Sequence, residues 1–257
     1  KKSLVFIFIF VCVIKLFACT IGIAVGDITS NGRPLIWKSR DVLAKPKNML
    51  RYYDVAKNSI PYLAVVDPES NNVWMGVNEK GFAILNSLCL DLENKSIRNN
   101  GLFMKTVLGF VTSVDEFETY LIKTNVSGRE TRASFAVMDS TGNVAIFETG
   151  RNEYWKFLGD DSLDGFVVRT NFSVNGGGNN GKDRYERSNQ IIESLIAENE
   201  LNSKNIFQKQ MRDLVDIEND PIIIPYGESE GFANLFGYQD TRYSIMREHT
   251  ISSCVIQ

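Results

Sequence analysis

A single histidine, His249, stands in the 257 residues of the chain. Nucleophilic triads of the Ser-His-Asp or Cys-His-Asn kind need a histidine base, so any such triad would have to use His249 alone. A multi-histidine metal site is excluded outright. The four cysteines, Cys12, Cys19, Cys89 and Cys254, form no CxxC pair and no zinc spacing. No excess of basic charge is present either: the net charge is −3, which argues against non-specific nucleic-acid binding. The only long apolar run covers residues 4–14, well short of the roughly 20 residues that cross a bilayer as a helix. Internal repeats and low-complexity linkers are absent. The remaining chemistry is enzyme chemistry with a base other than histidine, or a binding module.

What is present begins at the N-terminus. Lys1-Lys2-Ser3, the apolar run, and Phe17-Ala18 before Cys19 read as a signal peptide over residues 1–18. Cleavage after Ala18 leaves a soluble, exported chain over 19–257, one domain, whose first residue carries both a thiol and a free α-amine. Such a residue holds its own nucleophile and its own base. Leu16-Phe17-Ala18-Cys19 also fits a bacterial lipobox. In that alternative Cys19 is acylated and the protein is a lipid-anchored binding module. The two fates exclude each other. Phe17 is bulky for a lipobox, and a strand-like segment follows Cys19 directly, without a polar tether. Cys89 and Cys254 read as buried small hydrophobes.

Downstream, strand patterns occupy 21–25, 35–38, 62–66, 74–77, 83–88, 134–139, 144–148, 154–157 and 166–170. Ser30-Asn31-Gly32, Asn78-Glu79-Lys80-Gly81 and Asp139-Ser140-Thr141-Gly142-Asn143 supply turn chemistry between them. Helical patterns cover 101–111, 113–123, 183–198 and 203–216, the second opening on a Ser-x-x-Glu capping box. Strands and helices come in separate runs, so the fold class is α+β with antiparallel sheets. Two helix pairs flanking the strands predict a four-layer αββα sandwich. The stretch 175–181, Asn-Gly-Gly-Gly-Asn-Asn-Gly, reads as a flexible loop.

Four segments behind Cys19-Thr20 then fall in a telling order: Gly32 to Asp41, Gly76 to Asn86, Val168-Arg169-Thr170-Asn171, and Thr241-Arg242-Tyr243-Ser244. Together they resemble the linear-amide amidases of the N-terminal-nucleophile (Ntn) hydrolase superfamily. That group includes choloylglycine (bile salt) hydrolases, penicillin V acylases and acyl-CoA:6-aminopenicillanate acyltransferase-like proteins. The resemblance implies Cys19 as nucleophile and its α-amine, with an ordinary pKa of about 8, as base. It implies Asp41 as the holder of that amine. Asn171, through its side-chain N–H, and the backbone N–H of Asn86 become the oxyanion donors, and Arg242 a cation near the thiol. Lys38 stands where bile salt hydrolases carry arginine, three positions before the Asp, which makes bile salts a poor fit; Arg40 is close enough to take that duty.

The implied partner is a small-molecule amide, with hydrolysis or acyl transfer as the outcome. No cofactor, metal, nucleic acid or membrane is expected for the processed chain, and a homo-oligomer is in keeping with relatives. Loops at 43–53, 88–100 and 176–183 are expected to shape the pocket. Tyr52, Tyr53, Phe82, Phe103 and Phe172 are expected to line an apolar acyl site. Asn94, Asn125 and Asn171 head Asn-x-Ser sequons. The strand-like run 251–257 ends the sequence where relatives continue, so further strands are expected beyond it.

Overall fold

In the computed structural model, the described residues are 19–43, 46–54, 59–69, 72–93, 99–159, 164–215, 241 and 243–257. Two antiparallel sheets dominate. The four-stranded sheet has the order β10-β1-β2-β11, and the seven-stranded sheet the order β3-β4-β5-β6-β7-β8-β9. The strands are β1 (Thr20–Ala24), β2 (Leu35–Asp41), β3 (Met49–Tyr53), β4 (Tyr62–Val66), β5 (Val73–Asn78) and β6 (Ala83–Leu88), followed by β7 (Ala133–Met138), β8 (Val144–Thr149), β9 (Tyr154–Leu158), β10 (Phe166–Arg169) and β11 (Thr250–Ile256). Helices α1 (Asn100–Leu108) and α2 (Val114–Ser127) separate β6 from β7. After β10 comes α3 (Lys182–Ala197), then a short helix Ser203–Asn205 that widens into π-helical turns at Ile206–Gln210.

Three apolar cores show how these layers stack. The outer face of the seven-stranded sheet packs Phe82, Ile84, Phe135 and Phe147 under Met104, Leu108, Phe117 and Leu121 of α1 and α2. Between the sheets lie Ile21, Ile23, Ile36, Met75, Leu85, Ala136 and Ile146. On the far side, Leu35, Trp37 and Val168 meet Ile192 and Leu195 of α3 together with Ile206. The order is therefore helix, sheet, sheet, helix, the four-layer sandwich that the sequence pattern predicts. Strand alternation produces it: Ile36 turns toward the second sheet, while Leu35 and Trp37 turn toward α3.

Two elements depart from the sequence pattern. The segment 49–53, expected as loop, is the edge strand β3. The helix expected over 203–216 is short and π-widened. The expected signal peptide lies outside the described residues. No helix among the described residues is long and apolar enough to cross a membrane.

Candidate active site

Cys19 immediately precedes β1 and is buried, with 8% of its surface exposed. Strand β1 pairs with β2 in a register that sets Ile21 opposite Lys38 and Thr20 opposite Ser39. Period two then sends Lys38 and Arg40 toward the seven-stranded sheet, and Asp41 toward α3. A cavity of about 60 Å³ opens beside Cys19, walled by Lys38, Arg40, Asp41, Val42, Trp74, Asn86, Leu88 and Asn100.

Lys38 is fully buried and bridges the two sheets. Its Nζ donates to Asn86 Oδ1 at 2.7 Å and to Trp74 O at 2.9 Å. The β5–β6 ladder runs only as far as the Met75–Leu85 pair, and the lysine occupies the opening beyond it. Burial pulls its pKa from 10.5 down to about 8, reinforced by Arg40 and opposed by Cys19, Cys254 and Asp67. Arg40 stacks over Trp74 at 4.6 Å and is held by Asp67 at 2.9 Å and by Asn48 Oδ1 at 2.6 Å. Lys38 and Arg40 both line the Cys19 cavity, and the Arg40 guanidinium is committed to its ion pair with Asp67.

Asn171 follows β10. Its Oδ1 accepts from the Cys19 main-chain N–H at 2.9 Å and from Arg184 Nη2 at 2.8 Å. Two donors on one atom fix the orientation of the amide. Its Nδ2 donates to Leu88 O at 2.9 Å and Ser87 Oγ at 3.2 Å. Both amide hydrogens are committed to the protein, so this geometry departs from the side-chain oxyanion donor expected at Asn171. It makes Asn171 the acceptor that orients the Cys19 nitrogen. Asn86 has the complementary arrangement: its Oδ1 is taken by an ammonium, and its Nδ2 is the end left to donate at the cavity wall.

Asp41 is 1% exposed. Its Oδ1 accepts from Thr250 Oγ1 at 2.7 Å, and its Oδ2 lies 3.8 Å from Arg247 Nη1 and accepts no hydrogen bond. Burial raises its pKa from 3.8 to about 6, against the pull of Arg184, Thr250, Arg247 and Lys38. The acceptor at the Cys19 nitrogen is thus Asn171, and Asp41 stands at the β11 side of the site. Arg242 lies outside the described residues. His249 pairs with Glu248 at 2.7 Å and is not among the cavity's residues.

The residue that the sequence reading missed is Arg184. Fully buried, it donates to Cys19 O at 2.8 Å, Thr20 Oγ1 at 3.0 Å and Asn171 Oδ1 at 2.8 Å. Burial lowers its pKa to about 10, with Asp41 opposing the shift most strongly. It reaches the site from the first turn of α3 because Gly181, at φ +82°, precedes it. A Cβ there would come within 2.2 Å of the guanidinium. The signal was available: Arg184, Ser188, Ile192 and Leu195 form the buried stripe of α3, so the arginine occupies a core position of an amphipathic helix.

The glycine-rich loop is also more ordered than its composition suggests. Asp91 accepts from Ser173 N at 2.9 Å and Gly178 N at 3.0 Å, and Glu148 accepts from Val174 N at 3.1 Å. A Cβ at Gly176 would lie 2.6 Å from the Asp91 carboxyl. None of the five aromatics expected at the acyl site lines the cavity. Phe82 and Phe103 belong to the outer core, Tyr53 stacks on Tyr62, Phe172 meets Tyr185, and Tyr52 is exposed. The apolar walls of the cavity are Val42, Trp74 and Leu88 instead.

Comparison with known proteins agrees with this architecture. The family model described as acyl-coenzyme A:6-aminopenicillanic acid acyl-transferase matches residues 28–244, more than four fifths of the chain. Among solved structures, a Caenorhabditis elegans N-acylethanolamine-hydrolyzing acid amidase ortholog superposes with a TM-score of 0.51 at 16% identity, over 72% of this chain and 86% of that one. Penicillin V acylase from Agrobacterium tumefaciens is 16% identical with a TM-score of 0.49, over 86% of this chain and 78% of that one. A mutant conjugated bile acid hydrolase from Clostridium perfringens is 13% identical with a TM-score of 0.47, over 82% and 81%. No curated protein matches. At such identities the nematode amidase attests the shared fold, and the family assignment rests on the sequence model. The chain belongs to the acyl-coenzyme A:6-aminopenicillanic acid acyl-transferase family, within the Ntn-hydrolase superfamily.

Proposed function

We propose that the chain is an exported N-terminal-cysteine amidase that cleaves a linear amide through a thioester at Cys19. The observation that carries this reading is the 2.9 Å bond between the Cys19 nitrogen and Asn171 Oδ1, at a residue whose thiol side shares a cavity with Lys38 and Asn86. Once residues 1–18 are removed, that nitrogen is an amine with a pKa near working pH, about 8 when unperturbed. It takes the thiol proton, with Asn171 and Arg184 fixing its position. The thiolate attacks the amide carbonyl. Charge developing on the carbonyl oxygen meets the side-chain Nδ2 of Asn86 at the cavity wall, in place of the backbone N–H that the resemblance implies, a preorganised electrostatic term worth about 3 kcal/mol per donor. Lys38 beside the thiol favours the thiolate. Collapse expels the amine, protonated by the α-ammonium, and leaves the acyl group on sulfur. Water then releases the acid, or a second amine takes the acyl group, the outcome to which the family's name points. The substrate class is an N-acyl amino acid, acyl amide or peptide-like amide.

A lipid anchor at Cys19 is disfavoured by the burial of this residue and by its direct entry into β1 at Thr20, with no polar tether between them. The test is an amide-substrate screen with the protein as exported by its host, its N-terminus sequenced. A free N-terminal Cys19 with amidase turnover, abolished in C19A and in a chain carrying one extra residue before Cys19, is the expected result. Turnover retained in either variant would overturn the assignment.

A further inference from the structure

Lys38 is placed to do more than hold a charge. A lysine nitrogen has four tetrahedral positions. One is its own Cε, and two are fixed by Trp74 O and Asn86 Oδ1. Both acceptors demand an N–H, so those two positions keep their hydrogens whether the group is charged or neutral. The fourth position has no further hydrogen-bond partner among the described residues, and Lys38 lines the same cavity as Cys19. When the group loses a proton, it is the fourth position that becomes the lone pair. From this geometry we propose that Lys38 is a second nucleophile, which captures the acyl group from the Cys19 thioester and becomes an Nε-acyl-lysine. This step rests on the thioester reading above.

The step balances without any outside reagent. The Lys38 nitrogen adds to the thioester carbonyl, the C–S bond breaks, and the proton shed by nitrogen goes to sulfur. The products are an amide on Lys38 and a free Cys19 thiol. An amide is far less reactive than a thioester, so the product is a dead end that neutralises Lys38 and fills a cavity of about 60 Å³. Arginine at this position would be inert, because it stays protonated at every working pH. Acyl capture is thus a consequence of the lysine found in this chain.

The reaction needs neutral Lys38, and its surroundings favour that form. Burial brings the pKa to about 8. The titratable groups around it are Cys19 at the head of β1, Arg40 and Asp41 on its own strand, Cys254 directly across on β11, and Asp67 after β4. The contacts it makes on the seven-stranded sheet are to neutral groups, Trp74 O and Asn86. The neutral fraction of a group with this pKa rises on the order of a hundredfold between pH 6 and pH 9. Capture should therefore compete with hydrolysis under mildly alkaline conditions and fade under acidic ones.

The experiment treats the protein with p-nitrophenyl acetate at pH 6 and pH 9 and quenches at short times. Half of each sample is exposed to hydroxylamine, which strips thioesters and spares amides, and peptides are mapped by tandem mass spectrometry. The expected result is a hydroxylamine-sensitive acetyl on Cys19 at both pH values and a resistant acetyl on Lys38. The ratio of the second to the first should rise more than about tenfold at pH 9, with activity falling as Lys38 is modified. C19A should show no Lys38 acetyl, and K38R should end the progressive loss of activity. A Cys19 thioester with Lys38 unmodified at pH 9 overturns the proposal alone. Equal Lys38 acetylation in C19A also overturns it, since the ester would then be reacting directly. Absence of any thioester on Cys19 overturns the functional reading and this proposal with it. The pH series on the unaltered protein decides the matter even where K38R fails to fold.

Discussion

Replacing Asp41 with asparagine exchanges one buried oxygen for an NH2 group and leaves shape almost untouched. The bond from Thr250 Oγ1 to Oδ1, 2.7 Å long, can survive. What changes is charge. Burial raises the Asp41 pKa from 3.8 to about 6, so the folded state holds this proton more tightly than the unfolded chain does. Stability from this group is complete below pH 3.8 and is lost as pH rises through about 6. The displacement corresponds to about 3 kcal/mol at 1.36 kcal/mol per pH unit. Asparagine has no such titration. D41N should therefore gain on the unaltered protein by about 3 kcal/mol between roughly pH 3.5 and pH 7, or about 6–12 °C in Tm for a domain of this size. Asp41 also lines the cavity beside Cys19, so turnover should fall by about tenfold or more through disturbed placement of the groups around the thiol. Thermal melts and initial rates across the pH series check both halves. A stability gap that stays flat or shrinks with pH would mean that Arg184 and Arg247 hold the carboxylate charged in the fold. Unchanged turnover would remove Asp41 from the site.

Two other substitutions probe the framework. R184M strips three buried charge-assisted bonds and should cost about 3–5 kcal/mol, roughly 6–20 °C in Tm, with R184K intermediate because it keeps charge without the fork; a melt of R184M within 2 °C of the unaltered protein would refute the role drawn for it. D91A releases the backbone N–H groups of Ser173 and Gly178 and should lower kcat by about ten- to a hundredfold through displacement of Asn171, measured at saturating substrate; an undiminished kcat would mean that the loop places nothing.

Much of this was legible in the sequence because strands report their own period. The segment Tyr62–Val66 and the runs around Ala83–Leu88 and Val144–Thr149 are apolar enough to be read directly, and Lys38 and Asp41 in β2 and Asn171 just after β10 stand out as polar residues beside apolar runs. Strand β3 was not legible: Met49, Leu50 and Tyr52 are exposed on a sheet edge, so no alternation marks it. The glycine-rich loop misled for a different reason. Its order comes from Asp91, more than eighty positions away in the chain, and composition carries no trace of that partner. For Asn171 the resemblance supplied the residue and not the direction of its amide. Only the two donors converging on Oδ1 decide that.

The site lies where polar bonds sew the two sheets together, beside the buried Arg169–Glu148 pair that links β10 to β8. Much of the seam is filled by Ile21, Ile36, Met75, Leu85 and Ile146, and apolar contact is non-directional, so it cannot by itself fix one sheet's offset against the other. At the Cys19 end, Lys38 crosses to Trp74 O and Asn86, and Asn171 crosses to Ser87 and Leu88. These bonds have length and angle, and they set the thiol of one sheet against the donors of the other. They are also costly. The charge on Lys38 is disfavoured below about pH 8, a penalty that disappears only above the unfolded value near 10.5, and the charge on Asp41 is disfavoured above about pH 6. Near pH 7 the fold therefore carries both penalties at once, at one end of one strand. Apolar residues there would make a more stable sandwich with a looser seam. That both charges are retained where Cys19 enters β1 is what a site selected for placement, at the expense of stability, would show.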